Sequence, residues 1–477
     1  MTVSDGSEQI VAEMGAAPRA QPPGRRVSKI RRSARLRSAP SCRRGFVLFL
    51  ILTAILYIRP ADIFSELEGW PIYEVAIVFC LAASLPAVFR KLTWRSLSSQ
   101  PAHLCVIGLL PAILLSHLSH GILWRARMDG LDFLKQLVFY FLLVGLLSTR
   151  RRLEVFLGML FLCISAVALL SVLTYHGVLN IGNLNPLHQN MAAVDTGDAT
   201  QIVRLLGTGI FSDPNDVSLI LVTALMIGTN LFLDRKLWLR RLVLLPVIGL
   251  LGYAFYLTRS RGGFLSFMAA CGVLIFCRYP WRRAIVILVI ALPVVILLFG
   301  GRQTDIDLGD QNDTAQGRIH LWRDSLVLFH QSPIFGVGSN QLAEINGLVA
   351  HNSYIQAFGE LGVVGGTLFV GVWCILFSDL SRLFRALRTN ESKSFYGWIG
   401  CVLAILAGYA VGLCSLTRNY EVSTYVILGL AGAVASVLTA EHPELTLLRG
   451  VPLVRRIAVA SIGCLFCAEF CARFLAT

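Results

Sequence analysis

The sequence is short of charge. Only 15% of its 477 residues are Asp, Glu, Lys or Arg, 55% are hydrophobic, and mean hydropathy is +0.68. Soluble domains carry about 25% charged residues, so a soluble enzyme of this length would lack polar surface. A disordered scaffold is excluded by the same composition. A disulfide framework is also missing. Most of the 12 cysteines lie inside apolar runs. Cys464, Cys467 and Cys471 include a CxxC, but they share one helical face and read as packing. No signal-peptide cleavage pattern precedes the first apolar run. Acidic residues are scarcer than basic ones, 28 against 42, which leaves a net charge of +14. The cations are not interleaved with aromatics on an exposed face, so no nucleic-acid partner is expected.

What the chain does have is apolar runs of membrane-crossing length. They fall near 45–59, 71–89, 102–123, 131–148, 153–178, 215–233, 241–257, 262–277, 283–300, 351–378, 396–416 and 422–439. A further segment near 456–475 either spans or lies in the interface. The expected fold is therefore all-α, a polytopic transmembrane bundle of about 12 (13 with the last segment) spans. Residues 1–44 read as a disordered, basic, cytoplasmic tail. Residues 45–300 form nine spans with a periplasmic loop at 179–214, residues 301–350 a large periplasmic loop, and residues 351–477 the C-terminal spans.

Most of the Lys and Arg residues fall in alternate gaps, which places the N-terminus inside. The informative residues are the exceptions on the translocated side: Arg204, Arg259, Arg261, Arg302, Arg318, Arg323 and Arg418. Arg302 and Arg323 have Asp305, Asp307, Asp310 and Asp324 nearby and read as ion-paired. Arg259 and Arg261 have no local acid.

Both long external loops carry candidate chemistry, as loops of this length in compact proteins commonly do. The first ends in Gly207-Thr-Gly-Ile-Phe-Ser-Asp-Pro-Asn-Asp216. Ser212 or Asp213 ahead of Pro214 reads as a helix N-cap, and Asn215 or Asp216 is placed to touch a ligand. In the second loop, Ile319, Trp322 and Leu326 lie at helical spacing, so an amphipathic helix beginning at Arg318 is expected on the membrane. The turn-rich Ser332-Pro-Ile-Phe-Gly-Val-Gly338 leads back to the bilayer, where His351-Asn352-Ser353-Tyr354 opens a span. A histidine at that boundary titrates near neutrality. Glu360, nine residues on and about 13 Å along a helix, needs a partner or a function, since intramembrane carboxylates are expensive. It could hold an arginine or line a cavity. Thr258-Arg-Ser-Arg-Gly-Gly263 makes an external turn in which guanidiniums and backbone N–H groups can meet. Arginine suits phosphate through bidentate hydrogen bonds. An anion site beside a base suits a diphosphate leaving group and a hydroxyl nucleophile.

These residues together resemble the O-antigen ligase and polymerase superfamily. The resemblance runs from about 205 to 378 and rests on Thr258–Gly263, Gly317-Arg318 with Trp322, Pro333–Gly338, and His351–Tyr354 leading to Glu360 and Gly362. It implies a glycosyltransferase of the bacterial inner membrane that moves a glycan from undecaprenyl diphosphate to an acceptor hydroxyl on the periplasmic face. The acceptor is lipid A–core in ligases and a second carrier-linked glycan in polymerases. Some relatives glycosylate proteins. Neither nucleotide sugar, ATP nor metal is expected. On this resemblance Arg259, Arg261 and Arg318 would bind the diphosphate and His351 would activate the acceptor, with Glu360, Asn352, Trp322 and Asn215 in support. A transporter of lipid-linked glycans is the competing class, but its inverted repeats and mid-membrane polar groups have no counterpart in this sequence. A purely structural subunit would leave the external arginines unexplained.

Overall fold

The computed structural model describes residues 42–191, 200–234, 238–299, 314–388, 393–445 and 447–474. The basic tail and the first part of the second long loop, with Arg302, therefore lie outside the described residues. The described residues from 44 onward form one compact unit.

The unit is an all-α membrane bundle, and its long helices follow the hydropathy of the sequence. They are α1 (Arg43–Ile58), α2 (Ile72–Leu92), α3 (Pro101–Leu118), α4 (Leu123–Leu146), α5 (Arg150–Tyr175), α6 (Pro214–Leu233) and α7 (Trp238–Thr258). After these come α8 (Arg261–Arg278), α9 (Trp281–Leu298), α10 (Thr314–Gln331), α11 (Ser353–Ala386), α12 (Lys393–Gly412), α13 (Val422–Glu441) and α14 (Val451–Phe474). A small hairpin, β1 (Leu187–Met191) with antiparallel β2 (Thr200–Arg204), interrupts the first long loop. Among the described residues, 12 helices are long and apolar enough to cross a membrane.

Two helices refine the expected count. α4 is not one of the 12, because its first turns carry Arg125, Arg127, Asp129, Asp132 and Lys135. It nevertheless runs the length of the bundle, starting twelve residues short of Lys135 beside α3 and ending where Arg152 bonds the carbonyl of Leu146. Its second half, Phe139 to Leu147, is buried against α2, α3 and α13. Protein rather than lipid surrounds it, so the hydropathy rule for a lone span does not bind it. The segment left open near 456–475 belongs to α14, one of the 12, which packs on α10 and α11.

α11 departs furthest from expectation. Its 34 residues would reach about 51 Å, well beyond one bilayer crossing of about 30 Å. The helix is broken at Gly362, whose backbone is left-handed (φ 63°, ψ −164°). Residues 353–361 form a short separate helix, and the span proper follows the break.

The helix ends sort into two faces. At one end, Arg150 binds Glu441, Arg449 lies 3.6 Å from Asp379, and Lys91 donates to Ser436. Arg241 and Arg278 cap the carbonyls of Phe232 and Leu233 at the C-terminal end of α6, the favourable place for cations. These are the loops read as basic and internal. The other end gathers the segments read as external, and is called the site end below. α6, α12 and α13 are the most enclosed helices, while α9 and α14 turn most of their surface outward. Every cysteine is a free thiol, and Cys467 on α14 is exposed.

Candidate functional site

The site end is built around the start of α6. Asp213 caps this helix by accepting the N–H of Asn215 (2.6 Å), with Pro214 in the first turn. The cap frees the Asn215 side chain for tertiary work. Its Oδ1 accepts from Arg204 Nη2 (3.0 Å) and from Ser260 Oγ (2.7 Å). Arg204 is buried and also donates to the carbonyl of Thr258 (2.9 Å). Two long-range bonds thus hold the Thr258–Arg261 turn.

The same turn explains its glycines. Ser260 caps α8 by accepting Gly263 N–H (3.0 Å). A Cβ on Gly262 would strike Ser415, and one on Gly263 would strike Ser218. The pair therefore serves close helix packing, and of the backbone N–H groups expected to face a ligand, that of Gly263 is taken by the cap. Arg259 sits at φ 47° with its guanidinium 5.4 Å from the Tyr256 ring. Both Arg259 and Arg261 are partly exposed.

On the next residue of α6, Asp216 forms a bidentate pair with Arg418, from the loop between α12 and α13. Burial works against the charge of Arg418, but the bond and charge of Asp216 outweigh it, and the guanidinium is held more firmly protonated than usual. The Arg418 backbone N–H donates to Ser353 Oγ (2.9 Å), and Asn419 donates to the Ser353 carbonyl (2.9 Å). The start of α11 is therefore tied to the start of α6. Arg204 and Arg418 were both visible as cations on the wrong side of the charge rule. Their role as organisers was not, because it depends on partners 54 and 202 residues away.

His351 precedes α11 in a left-handed conformation (φ 49°). Non-glycine residues adopt this rarely, and such strain persists where surrounding bonds over-determine it. Asn352 Oδ1 caps α11 by accepting the N–H groups of Tyr354 (3.0 Å) and Ile355 (3.2 Å). On the other side, Ala350 N–H donates to Gln356 Oε1 (3.0 Å). His351 is partly exposed, and its pKa lies below the usual value of 6.5. Desolvation is the main cause, followed by the positive charge of Arg318, with Arg418 adding to it and Asp213 opposing it. The structure thus brings His351 and Arg318 into electrostatic range, with Asp213 and Arg418 close by. The turn that carries Arg259 and Arg261 is bonded through Ser260 and Asn215 to the start of α6.

Glu360 is fully buried and does not hold an arginine. It accepts hydrogen bonds from Gln356 Nε2 (2.7 Å), Tyr420 Oη (2.8 Å) and Leu342 N–H (3.4 Å). Through Gln356 it reaches both Ala350 and Thr417 Oγ1 (3.1 Å). Gln356 thus links Glu360 to the backbone next to His351. Trp322 lies elsewhere: it packs against the cluster of Leu326, Ile355, Ala468 and Ala472. That makes it part of the seam between α10, α11 and α14. The amphipathic helix around it starts at Thr314, four residues before Arg318, and buries Ile319 and Leu326 as its spacing requires. Arg323 is exposed; of its expected partners, Asp305, Asp307 and Asp310 lie outside the described residues, and the exposed Asp324 makes no ion pair with it among the described residues.

The break at Gly362 accounts for Pro333–Gly338. An unbroken helix would bond Val363 and Val364 N–H to the carbonyls of Gly359 and Glu360. Instead Val363 donates to Pro333 (2.8 Å) and Val364 to Ile334 (3.3 Å), while Val337 and Gly338 donate to Gly359 (3.1 Å) and Glu360 (3.0 Å). The loop is spliced into the helix, and all four backbone groups are satisfied. A Cβ on Gly336 would collide with the Glu360 carbonyl, and one on Gly362 with that of Ile334. A second clamp follows, in which His117 Nε2 (2.9 Å) and Ser339 Oγ (2.6 Å) both meet Asp129 Oδ2. Serine and histidine share one carboxylate oxygen, and His117 Nδ1 is buried without a partner among the described residues. A Ser-His-Asp relay needs the carboxylate and serine on opposite ring nitrogens. Here both meet Nε2, and the cluster ties α3 and α4 to the spliced loop.

Residues 246–370 match the O-antigen ligase family. The match takes in Arg259, Arg261, Arg318, Trp322, His351, Asn352, Glu360 and both strands of the splice, and leaves out Asn215, Asp216 and Arg418. The chain is 24% identical over 157 residues to the exopolysaccharide production protein ExoQ of Rhizobium meliloti, covering 29% of this chain and 35% of that protein. It is 22% identical over 185 residues to an uncharacterized protein of Haemophilus influenzae, covering 31% of this chain and 44% of the other. The chain thus spans less than half the length of either curated relative. These similarities support the resemblance to the O-antigen ligase and polymerase superfamily.

Proposed function

We propose that this chain is a membrane glycosyltransferase that moves a glycan from undecaprenyl diphosphate to an acceptor hydroxyl, lipid A–core, at the periplasmic face of the bacterial inner membrane. The observation that carries this reading is the convergence at one end of the bundle of a strained, partly exposed histidine with Arg318, beside a turn bearing Arg259 and Arg261. In this reading the arginines hold the diphosphate. They stabilise it most as charge builds on the departing group, which is where binding accelerates a reaction. The depressed pKa of His351 keeps the imidazole neutral at neutral pH, ready to take the acceptor's proton. General-base action of this kind contributes about 10²–10⁴-fold. Attack opposite the leaving group inverts the anomeric centre.

A second reading has specific support. Similarity to an exopolysaccharide production protein favours a polymerase that joins carrier-linked repeat units through the same donor chemistry. Glycan analysis of a deletion strain separates the two. A ligase leaves lipid A–core bare while carrier-linked polymer accumulates, and a polymerase leaves repeat units single. Unchanged surface and carrier-linked glycans in that strain would refute both.

A further inference from the structure

A cavity of about 460 Å³ opens at the site end between α1, α2, α4 and the start of α13. Its size lies in the range of roughly 300–1,000 Å³ usual for small-ligand sites. Neither His351 nor any of Arg259, Arg261 and Arg318 lines it. Its polar lining is Arg59, Tyr73, Glu74, Lys135, Gln136 and Glu421, with the indole of Trp70 at its side. Two cations and two carboxylates give no preference for a phosphate, which the carboxylates would repel. Four charged side chains also make it a poor home for an acyl or prenyl tail.

Three observations point to an occupant. The Tyr73 hydroxyl is buried and has no hydrogen-bond partner among the described residues, an arrangement that is costly unless a ligand or water completes it. Trp70 is 67% exposed, leaving a large aromatic face beside polar groups. Arg59 is held left-handed (φ 45°), with its stem over Gly209. The cavity also neighbours the site in the chain and in its electrostatics. Ile210 lines it three residues before the Asp213 cap, and Glu421 acts electrostatically on Arg418, which in turn acts on His351.

We propose that this cavity is a carbohydrate subsite that seats one sugar ring of a glycan substrate beside the arginine–histidine site. A pyranose offers an apolar C–H face to an aromatic ring and an edge of hydroxyls that both donate and accept. Glu74 and Glu421 accept from such an edge, Arg59 and Lys135 donate to it, and the Tyr73 hydroxyl does either. The assignment of the ring to a transfer substrate rests on the proposed function; the binding of a sugar does not. A transferase needs places for two substrates, and this cavity adds the second.

The test is saturation-transfer NMR on the full chain in nanodiscs. The probes are two oligosaccharides released by mild acid from the source cell's own envelope: the delipidated core, which reports the acceptor, and the repeat unit, which reports the donor. Geranyl diphosphate is the anion control. At least one oligosaccharide binds the wild-type chain. Trp70→Ala and Glu74→Gln each weaken it about tenfold and leave geranyl diphosphate binding unchanged. The proposal is overturned if neither oligosaccharide binds, if both variants bind sugar as the wild type does, or if they lose the diphosphate equally. Sugar binding is read without turnover. A deletion strain with normal glycans would therefore refute the transfer reading while leaving this one standing.

Discussion

The two ends of the bundle use their cations differently. At the end remote from the site, Arg150, Arg241, Arg278 and Arg449 bond helix-terminal carbonyls or nearby carboxylates, and no described non-glycine residue there is left-handed. At the site end lie all four left-handed non-glycine residues of the described chain: Arg59, Arg259, Asn340 and His351. One end carries the cations that the charge rule reads as internal. The other stores strain in bonded frameworks, and that is where chemistry is expected.

The sharpest way to break this comparison is to exchange equivalent losses between the ends. His351→Ala should lower glycan transfer in proteoliposomes by about 10²–10⁴-fold, while Arg456→Ala, whose side chain touches Ser378 at the other end, should leave it intact. Equal losses would end the functional distinction. Next in size is Arg418→Gln, which strands the buried Asp216. It should destabilise the chain by about 3–5 kcal/mol in thermal or denaturant unfolding, and adding Asp216→Asn should restore part of that. Gly336→Ala should follow, at about 1–3 kcal/mol, because its Cβ would meet the Glu360 carbonyl inside the splice. Arg150→Gln at the far end breaks a partly exposed pair with Glu441 and should cost no more than about 1 kcal/mol. Smallest is the pH response near neutrality. The pKa of His351 is lowered from 6.5, so the neutral base already predominates at pH 7. The rate should stay flat as pH rises from there and fall only as pH drops through a value below 6.5. An acid limb centred above 6.5 would show that another group is the base.

Much of the candidate site was legible one residue at a time. Arg259, Arg261 and Arg318 stood out because they opposed the charge rule, and the Asp213-Pro214 cap followed from local chemistry. Trp322 was legible as part of an amphipathic stripe, and the stripe is what the structure confirms for it. Glu360 was visible only as an expensive carboxylate. Its partners Tyr420 and Gln356 share no short-range pattern with it, so whether it held an arginine or faced a cavity could not be decided in one dimension. The actual arrangement, a buried hydrogen-bonded network, was neither of these.

Hydropathy and charge accumulate along the chain, residue by residue, and they need no partner to be read. By themselves they determined the helices, the alternation of their ends and the short list of cations at odds with it. Tertiary structure decided what depends on atoms meeting across the bundle. A 34-residue apolar helix breaks at Gly362 because the Pro333–Gly338 backbone is there to take over its hydrogen bonds. α4 crosses with charged first turns because neighbouring helices replace lipid around its second half. Asp216 and Arg418, 202 residues apart, become one group only once the starts of α6 and α11 are packed together.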